Sequence, residues 1–307
     1  MHINLENNSN VKAKPFLKWA GGKKQIVDLI DQHLPKEIGK NEVIEKYFEP
    51  FLGGGAVFFH LKSKYTIKQA YLSDINQELI LTYEVIKDSP EELIEELQIL
   101  SDDFLPKSLD ERKEYYYNIR DEFNNTSKNF DKIIRASQMI FLNRTCFNGL
   151  YRVNKDGKFN VPIGSYKNPL ICDKNNLLNV SELLKDVKIV CDDYSKSLNE
   201  IDENSFVYLD PPYLPIKENS FTGYSSNGFG INEQIELSDF CKTIDKKNAK
   251  FLLSNSNPKN SENKGFFNEH YDLDNKLFNY QEIDVRRSIN SNKNKRGPIK
   301  EILIYNF

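Results

Sequence analysis

The residues best placed to do chemistry are Asp210-Pro211-Pro212-Tyr213, which directly follow the apolar run Phe206-Val207-Tyr208-Leu209. A buried strand would deliver a carboxylate and then a stiff turn to the edge of a site. Such a group suits an exocyclic amine on a nucleobase. That nitrogen is a poor nucleophile because its lone pair is delocalised into the ring. Asp210 and the Pro211 carbonyl can accept its two N–H bonds and favour a pyramidal nitrogen, which aims the lone pair. Pro211 and Pro212 have no backbone N–H to compete, and Tyr213 supplies a ring on which a base can stack. Orientation is then the main catalytic device. A purely structural turn is the competing explanation, and the glycine loop upstream weighs against it.

That loop is Gly53-Gly54-Gly55, preceded by Phe51-Leu52 and followed by a helix-forming stretch from Ala56. Glycines let a backbone approach a ligand closely, and a following helix directs N–H groups at negative charge. Asp74, about 20 residues onward and at the end of a strand-like run, is placed to accept a ribose hydroxyl pair. S-adenosylmethionine (SAM) has an amino-acid part for the loop and a ribose for Asp74. A glycine turn with a helix-capping Asp explains this motif alone more simply; the Asp-Pro-Pro-Tyr sequence reverses that ordering. Other cofactors fit less well. Phe58 stands where a dinucleotide fingerprint needs its third Gly, and Leu17 and Lys24 break a Walker A pattern around Gly21-Gly22-Lys23. A cytosine C5 methyltransferase would need a nucleophilic Cys, typically after Pro, and none of the four cysteines follows one.

An amine on a base in duplex DNA lies inside the helix, so the base must be flipped out before it can react. The net charge of -3 argues against a polyanionic partner only as an average. From Lys12 to Lys24 there are five Lys and no acid, Arg144 to Asn168 carries five basic residues against Asp156 alone, and Val285 to Lys300 carries six and no acid. Asp88 to Glu114, with ten acids against three bases, masks them. Three basic windows folded to one side would bind phosphates through local charge, although any single run is more often just solvated surface.

The chain's 307 residues, 39% hydrophobic and 28% charged, describe a globular α/β protein of one elaborated domain or two, and exclude collagen-like and broadly disordered classes. No run approaches the roughly 18 apolar residues of a membrane span, and the opening segment lacks the order of a secretory signal, so a soluble cytosolic protein is expected. Cys146, Cys172, Cys191 and Cys241 form no CxxC pair and the four histidines form no cluster, so no metal is expected and the thiols read as reduced.

The elements that must position these residues alternate. A helix is expected within Gly21 to Leu34, a strand at Tyr47 to Glu49, a helix from Ala56, a strand at Ala70 to Leu72 and a helix over Gln77 to Ile86. Helical patterns then dominate: Glu91 to Leu100, Glu111 to Phe123 and Asp131 to Leu142. Arg144 to Ile171 is too long for an ordinary connector and reads as functional. Alternation resumes with strands at Val187 to Cys191 and Phe206 to Leu209, a helix over Glu233 to Ile244, and strands at Lys250 to Leu253 and Ile299 to Tyr305. The order implies an open α/β sheet whose strand C-terminal ends collect the ligand. A mainly helical insertion interrupts it, so 12–88 and 173–307 form one discontinuous domain and 89–172 another.

Phe16-Leu17-Lys18-Trp19-Ala20-Gly21-Gly22-Lys23, the run from Glu49 to Phe59 and Asp210-Pro211-Pro212-Tyr213 resemble the Dam family of SAM-dependent DNA adenine N6-methyltransferases. The resemblance extends to Asn143-Arg144, Phe147-Asn148-Gly149-Leu150-Tyr151-Arg152, Phe159-Asn160-Val161-Pro162, Ser220-Phe221-Thr222-Gly223-Tyr224 and Arg286-Arg287-Ser288-Ile289. It implies a Rossmann-like SAM-dependent fold with a helical target-recognition insertion over 89–172, acting on a flipped adenine in double-stranded DNA, within GATC. Trp19, Lys23, Phe51, Gly53, Gly55, Asp74, Asp193 and Tyr194 would hold SAM. Lys18, Leu150, Arg152 and Pro162 would help read bases, with Phe147 and Asn148 entering the stack. Arg152 can meet guanine O6 and N7, and Leu150 and Pro162 the thymine methyl; loop packing and phosphate contact are equally good explanations of those side chains. Ser165 departs from the Arg found in many members. A bacterial or phage-type, nucleoid-associated cytoplasmic enzyme is implied, with a cognate restriction endonuclease as a functional partner. The alternatives are an N4-cytosine or RNA adenine methyltransferase, or a noncatalytic DNA-binding module that keeps the SAM fold.

Overall fold

The computed structural model describes residues 11–19, 21–23, 26–125, 130–213, 229–257, 265–286 and 298–307. Ala20, Ser220 to Tyr224, Arg287 to Ile289 and most of the third basic window lie outside the described residues. The elements run α1 (Val27–Gln32), α2 (Lys36–Asn41), β1 (Val43–Glu49), α3 (Ala56–Lys64), β2 (Thr66–Asp74), α4 (Gln77–Asp88), α5 (Pro90–Phe104), α6 (Leu109–Asn125), α7 (Lys132–Thr145), α8 (Lys174–Leu184), β3 (Val187–Cys191), β4 (Ser205–Leu209), α9 (Ile231–Lys246), β5 (Lys250–Ser256), α10 (Phe266–Tyr271), β6 (Asn279–Arg286) and β7 (Pro298–Tyr305). The alternating pattern and its helical interruption fold as expected. Helix α1 begins well after the glycine pair, whereas α2, α8, α10 and β6 are additions that the sequence pattern does not announce.

Among the described residues the sheet has seven strands and is of the Rossmann-like, mixed α/β kind. One compact unit comprises residues 24–52, 67–75 and 192–307 and holds strands in the order β2-β1-β4-β5-β7-β6. β1 pairs parallel with β4, with Phe48 opposite Val207, and β4 pairs parallel with β5, with Leu209 opposite Leu253. β7 runs antiparallel to both β5 and β6. Every residue of β4 and all but the first of β5 are buried, the signature of strands covered on both faces. From β1 the chain leaves toward β2 and returns to β4 on the other side, so the strand order reverses between β1 and β4. That reversal is where open α/β sheets bind ligands, at the strands' C-terminal ends.

The other unit, residues 1–23, 53–66 and 76–191, is mainly helical. Three of its helices, α4, α7 and α8, start at side-chain caps: Asn76 accepts from Leu79 N at 3.0 Å, Asp131 from Ile133 N at 2.7 Å, and Asp173 from Asn176 N at 3.4 Å. Arg135 of α7 joins α4 and α6 by a bidentate pair to Glu78, at 2.9 and 2.6 Å, and by lying 3.5 Å from the Phe123 ring centre. This unit takes in α4, α8 and the glycine loop besides the helices within 89–172.

Candidate active site

Asp210 emerges from the buried β4 at the reversal point, beside the end of β1, where Glu49 and Pro50 lead to Phe51. Its Oδ1 accepts from Ser254 Oγ at 3.2 Å, and Ser254 Oγ lies 3.0 Å from the Tyr208 hydroxyl. Tyr208 is fully buried; burial first and then the Asp210 charge push its phenol well above the ordinary range, so it remains a proton donor. The chain of donors therefore runs Tyr208 to Ser254 to Asp210. Pro211 is buried and Pro212 is exposed. The Pro212 carbonyl accepts from Gln234 Nε2 at 2.7 Å. Tyr213 donates its hydroxyl to Glu301 at 2.8 Å, and burial with the Asp210 and Glu301 charges raises its pKa strongly.

The same unit contains a pocket of about 620 Å³ lined by Ile75, Asp193, Tyr194, Phe229, Glu233, Glu236 and Phe240 among others. Of the residues expected at a cofactor, Asp193 and Tyr194 line it directly. Phe51 stacks on Tyr194 at 5.1 Å between ring centres and meets Phe229 edge-on at 5.8 Å, so it backs two walls of the pocket. Asp74 is the last residue of β2, immediately before the lining residue Ile75, whose side chain is 68% exposed. Asp193 also shapes the local backbone, since its Oδ1 accepts from Ser195 N at 2.9 Å and Ser195 Oγ at 2.6 Å. Ile75, Phe229, Glu233, Glu236 and Phe240 were missed by sequence reasoning. Ile75 alone carried a local signal, as an apolar residue directly after a strand-end carboxylate.

Trp19, Lys23, Gly53 and Gly55 belong to the mainly helical unit. Gly53 has φ +48°, and a Cβ there would sit 2.9 Å from Trp19 Cδ1, so both conformation and space demand glycine. Gly55, at φ +67°, is the N-cap of α3. Lys23 is buried and donates from Nζ to the Gly21 carbonyl at 2.9 Å, and Trp19 stacks on Tyr151.

All six residues expected to meet DNA fall in this unit as well. Asn143, fully buried, ties two of their segments together: its Oδ1 accepts from Lys18 N at 2.8 Å, and its Nδ2 donates to the carbonyls of Lys18 at 2.9 Å and Gly149 at 3.0 Å. Gly149 sits at φ +63°, and a Cβ there would lie 2.3 Å from Lys18 Cδ, so any side chain would have to displace Lys18. Lys18 Nζ meets the Tyr166 hydroxyl at 3.1 Å. Asn148 takes a left-handed conformation at φ +57°, and Phe147, 48% exposed, donates its N–H to the Pro162 carbonyl at 2.8 Å. Leu150 N bonds to the Phe147 carbonyl at 3.3 Å.

The long basic stretch is a hairpin. Val153 bridges to Phe159, and Asn154 closes the turn by accepting from Asp156 N and Lys158 N at 3.0 and 2.9 Å. Helix α6 pins it: Tyr116 donates to the Val161 carbonyl at 2.8 Å, and Asn124 pairs with both backbone groups of Phe159 at 2.9 and 2.8 Å. Arg152 and Pro162 are exposed on this hairpin, and Arg152 Nε donates to Asn160 Oδ1 at 2.7 Å.

The D12 class N6 adenine-specific DNA methyltransferase family matches residues 19–289. The chain belongs to that family. It is an enzyme, a DNA adenine methyltransferase, and DNA is its substrate. It is 49% identical to the Type II methyltransferase M.MjaIII of Methanocaldococcus jannaschii, over 97% of this chain and 100% of that one. It is 37% identical to the Type II methyltransferase M1.LlaDCHI of Lactococcus lactis subsp. cremoris, over 99% of each. It is 34% identical to the DNA adenine methylase of Escherichia coli K12, over 95% of each. In this methyltransferase no described helix is long and apolar enough to cross a membrane, and among the described residues no group of His, Cys, Asp and Glu is arranged to hold a metal ion.

Proposed function

We propose that the methyltransferase uses SAM to methylate a flipped adenine at N6 in double-stranded DNA, within GATC, with Asp210 and the Pro211 carbonyl orienting the amine. The observation that carries this reading is the Asp210 carboxylate, held at the strand reversal by Ser254 at 3.2 Å and followed by two prolines. The pocket fits the donor. Its volume of about 620 Å³ suits a ligand of that size, and Tyr194, Phe229 and Ile75 give it apolar faces while Asp193 gives it an acceptor. When bound, SAM would supply an electrophilic methyl group on a sulfonium, whose carbon–sulfur bond breaks to leave a neutral thioether.

The chain's own residues do the rest. Asp210 and the Pro211 carbonyl accept the two N–H bonds of the amine and turn its lone pair out of conjugation, and Asp210 takes up the proton released as the N–C bond forms. Tyr213 stacks the base, its ring fixed at the hydroxyl by Glu301. Phe51 braces the pocket wall; Asp74 would accept the ribose hydroxyls, and Trp19, Lys23, Gly53 and Gly55 would hold the amino-acid part. Phe147 and Asn148 replace the lost stacking, while Leu150, Arg152 and Pro162 of the 89–172 recognition segment read bases together with Lys18. The backbone of these readers is fixed while Phe147, Arg152 and Pro162 remain exposed, which favours readout over loop packing. A cytoplasmic setting and a cognate restriction endonuclease belong to the same proposal, the endonuclease in keeping with the Type II methyltransferase names of two relatives.

Labelled-methyl transfer from SAM to matched duplexes carrying GATC or a scrambled site, followed by nucleoside analysis, tests the proposal. Label as N6-methyladenine in the GATC duplex alone is the expected result. Label only in the scrambled duplex would overturn the target, and label in single strands alone would overturn the duplex substrate.

A further inference from the structure

Two side chains outside the Asp-Pro-Pro-Tyr sequence grip its turn. Ser254 and Asn255 are neighbours at the C-terminal end of β5, and on a pleated strand they point to opposite faces. Ser254 reaches Asp210 Oδ1 and is itself backed by Tyr208. On the other side, Asn255 Nδ2 donates to Gln234 Oε1 at 3.0 Å, and Gln234 Nε2 donates to the Pro212 carbonyl at 2.7 Å. Gln234, Asn255 and Ser254 are all completely buried. The polarity of this second arm is fixed: a carbonyl only accepts, so the Gln234 nitrogen must face Pro212, which leaves its oxygen for Asn255. Proline turns lack N–H groups of their own, so a carbonyl is the handle by which the turn can be held.

We infer that Gln234 and Ser254 are positioning residues for methyl transfer: Gln234 sets the pose of the Pro211-Pro212 turn through the Pro212 carbonyl, and Ser254 sets the plane of the Asp210 carboxylate. Two oxygens that share one amine must be held together, and the two arms hold the carboxylate and the turn separately. Both side chains are completely buried and act through the groups they hold, Pro212 and Asp210, which makes them positioning rather than catalytic residues. The inference rests on the proposed role of Asp210.

The test is single-turnover methylation of a GATC duplex by Asp210→Ala, Ser254→Ala, Gln234→Met and Gln234→Glu, with SAM and duplex affinities measured beside it. Gln234→Met keeps the volume and removes both bonds; its rate should fall roughly ten- to a hundredfold, with both affinities within about threefold of the parent. Ser254→Ala should lose a smaller factor in the same way. Gln234→Glu supplies a readout that a merely structural role would not move. A buried carboxyl takes up its proton more readily than an exposed one and can then donate to the Pro212 carbonyl. Its rate relative to the parent should therefore rise as pH falls, while that of Gln234→Met stays flat. A parental rate in Gln234→Met, or a flat ratio in Gln234→Glu where Met fails to fold, overturns the inference. If Asp210→Ala itself transfers at the parental rate, the underlying reading fails instead.

Discussion

The two ends of this methyltransferase that would meet a base are built on opposite rules. Around Asp210 the side chains themselves are immobilised: Tyr208, Ser254, Gln234 and Asn255 are buried and hydrogen-bonded to one another or to the turn. Around Arg152 the backbone is immobilised and the side chains are left out. Asn143, Asn124 and Tyr116 hold carbonyls and N–H groups of the 147–162 segment, while Phe147, Arg152 and Pro162 are exposed. The contrast follows from what each end must do. Aiming a lone pair needs atoms fixed to a fraction of an ångström before the substrate arrives. Reading base edges needs side chains that can leave one partner for another, as Arg152 would leave Asn160 for a guanine, on a frame that keeps register.

If that contrast is correct, Asp210→Ala should have the largest effect, lowering single-turnover transfer more than about a hundredfold with SAM binding preserved; rate and affinity measured on the same preparation check it. Arg152→Ala should instead cost roughly 1 to 3 kcal/mol of discrimination between GATC and singly altered sites, read from the ratio of transfer rates. An unchanged ratio would make Arg152 a phosphate contact. Gly149→Ala should lower stability by about 1 to 2 kcal/mol for the left-handed backbone alone, and should also weaken discrimination because Lys18 must move, which thermal unfolding and the same rate ratio together detect.

The smallest effect concerns the buried Cys146 beneath the hairpin. Burial raises its thiol from 9.0 to about 12, and raises Tyr151 from 10.0 to about 12. Both groups are neutral when protonated, so their contribution is fully present below pH 9 and is lost as pH climbs toward 12, because the unfolded chain ionises first. Unfolding free energy should therefore decline over that window, and Cys146→Ala should flatten its lower part; an unchanged slope would remove the thiol from the account.

What is legible in the sequence follows the same division. Asp210 and the glycine loop announce themselves locally, because a stiff carboxylate turn and a close backbone approach each need a particular short string. Gln234 and the pocket residues Glu233, Glu236 and Phe240 do not, since α9 brings them in from elsewhere along the chain. The hairpin reads as a long loop because its strands are too short to show alternation; what holds it are Tyr116 and Asn124, 45 and 35 residues away from their partners. Helix α8 has a readable cap in Asp173 and apolar Leu177, Val180, Leu183 and Leu184, but its run of asparagines obscures the period. β6 is a polar edge strand with little to distinguish it from a loop.

The most direct test compares Asp210→Ala and Arg152→Ala with the parent in single-turnover transfer of labelled methyl from SAM to a GATC duplex and to a singly altered one. Asp210→Ala should lose transfer to every duplex with both ligands still bound, whereas Arg152→Ala should still transfer but narrow the gap between the two duplexes. Near-parental transfer by Asp210→Ala would contradict the proposed role of Asp210.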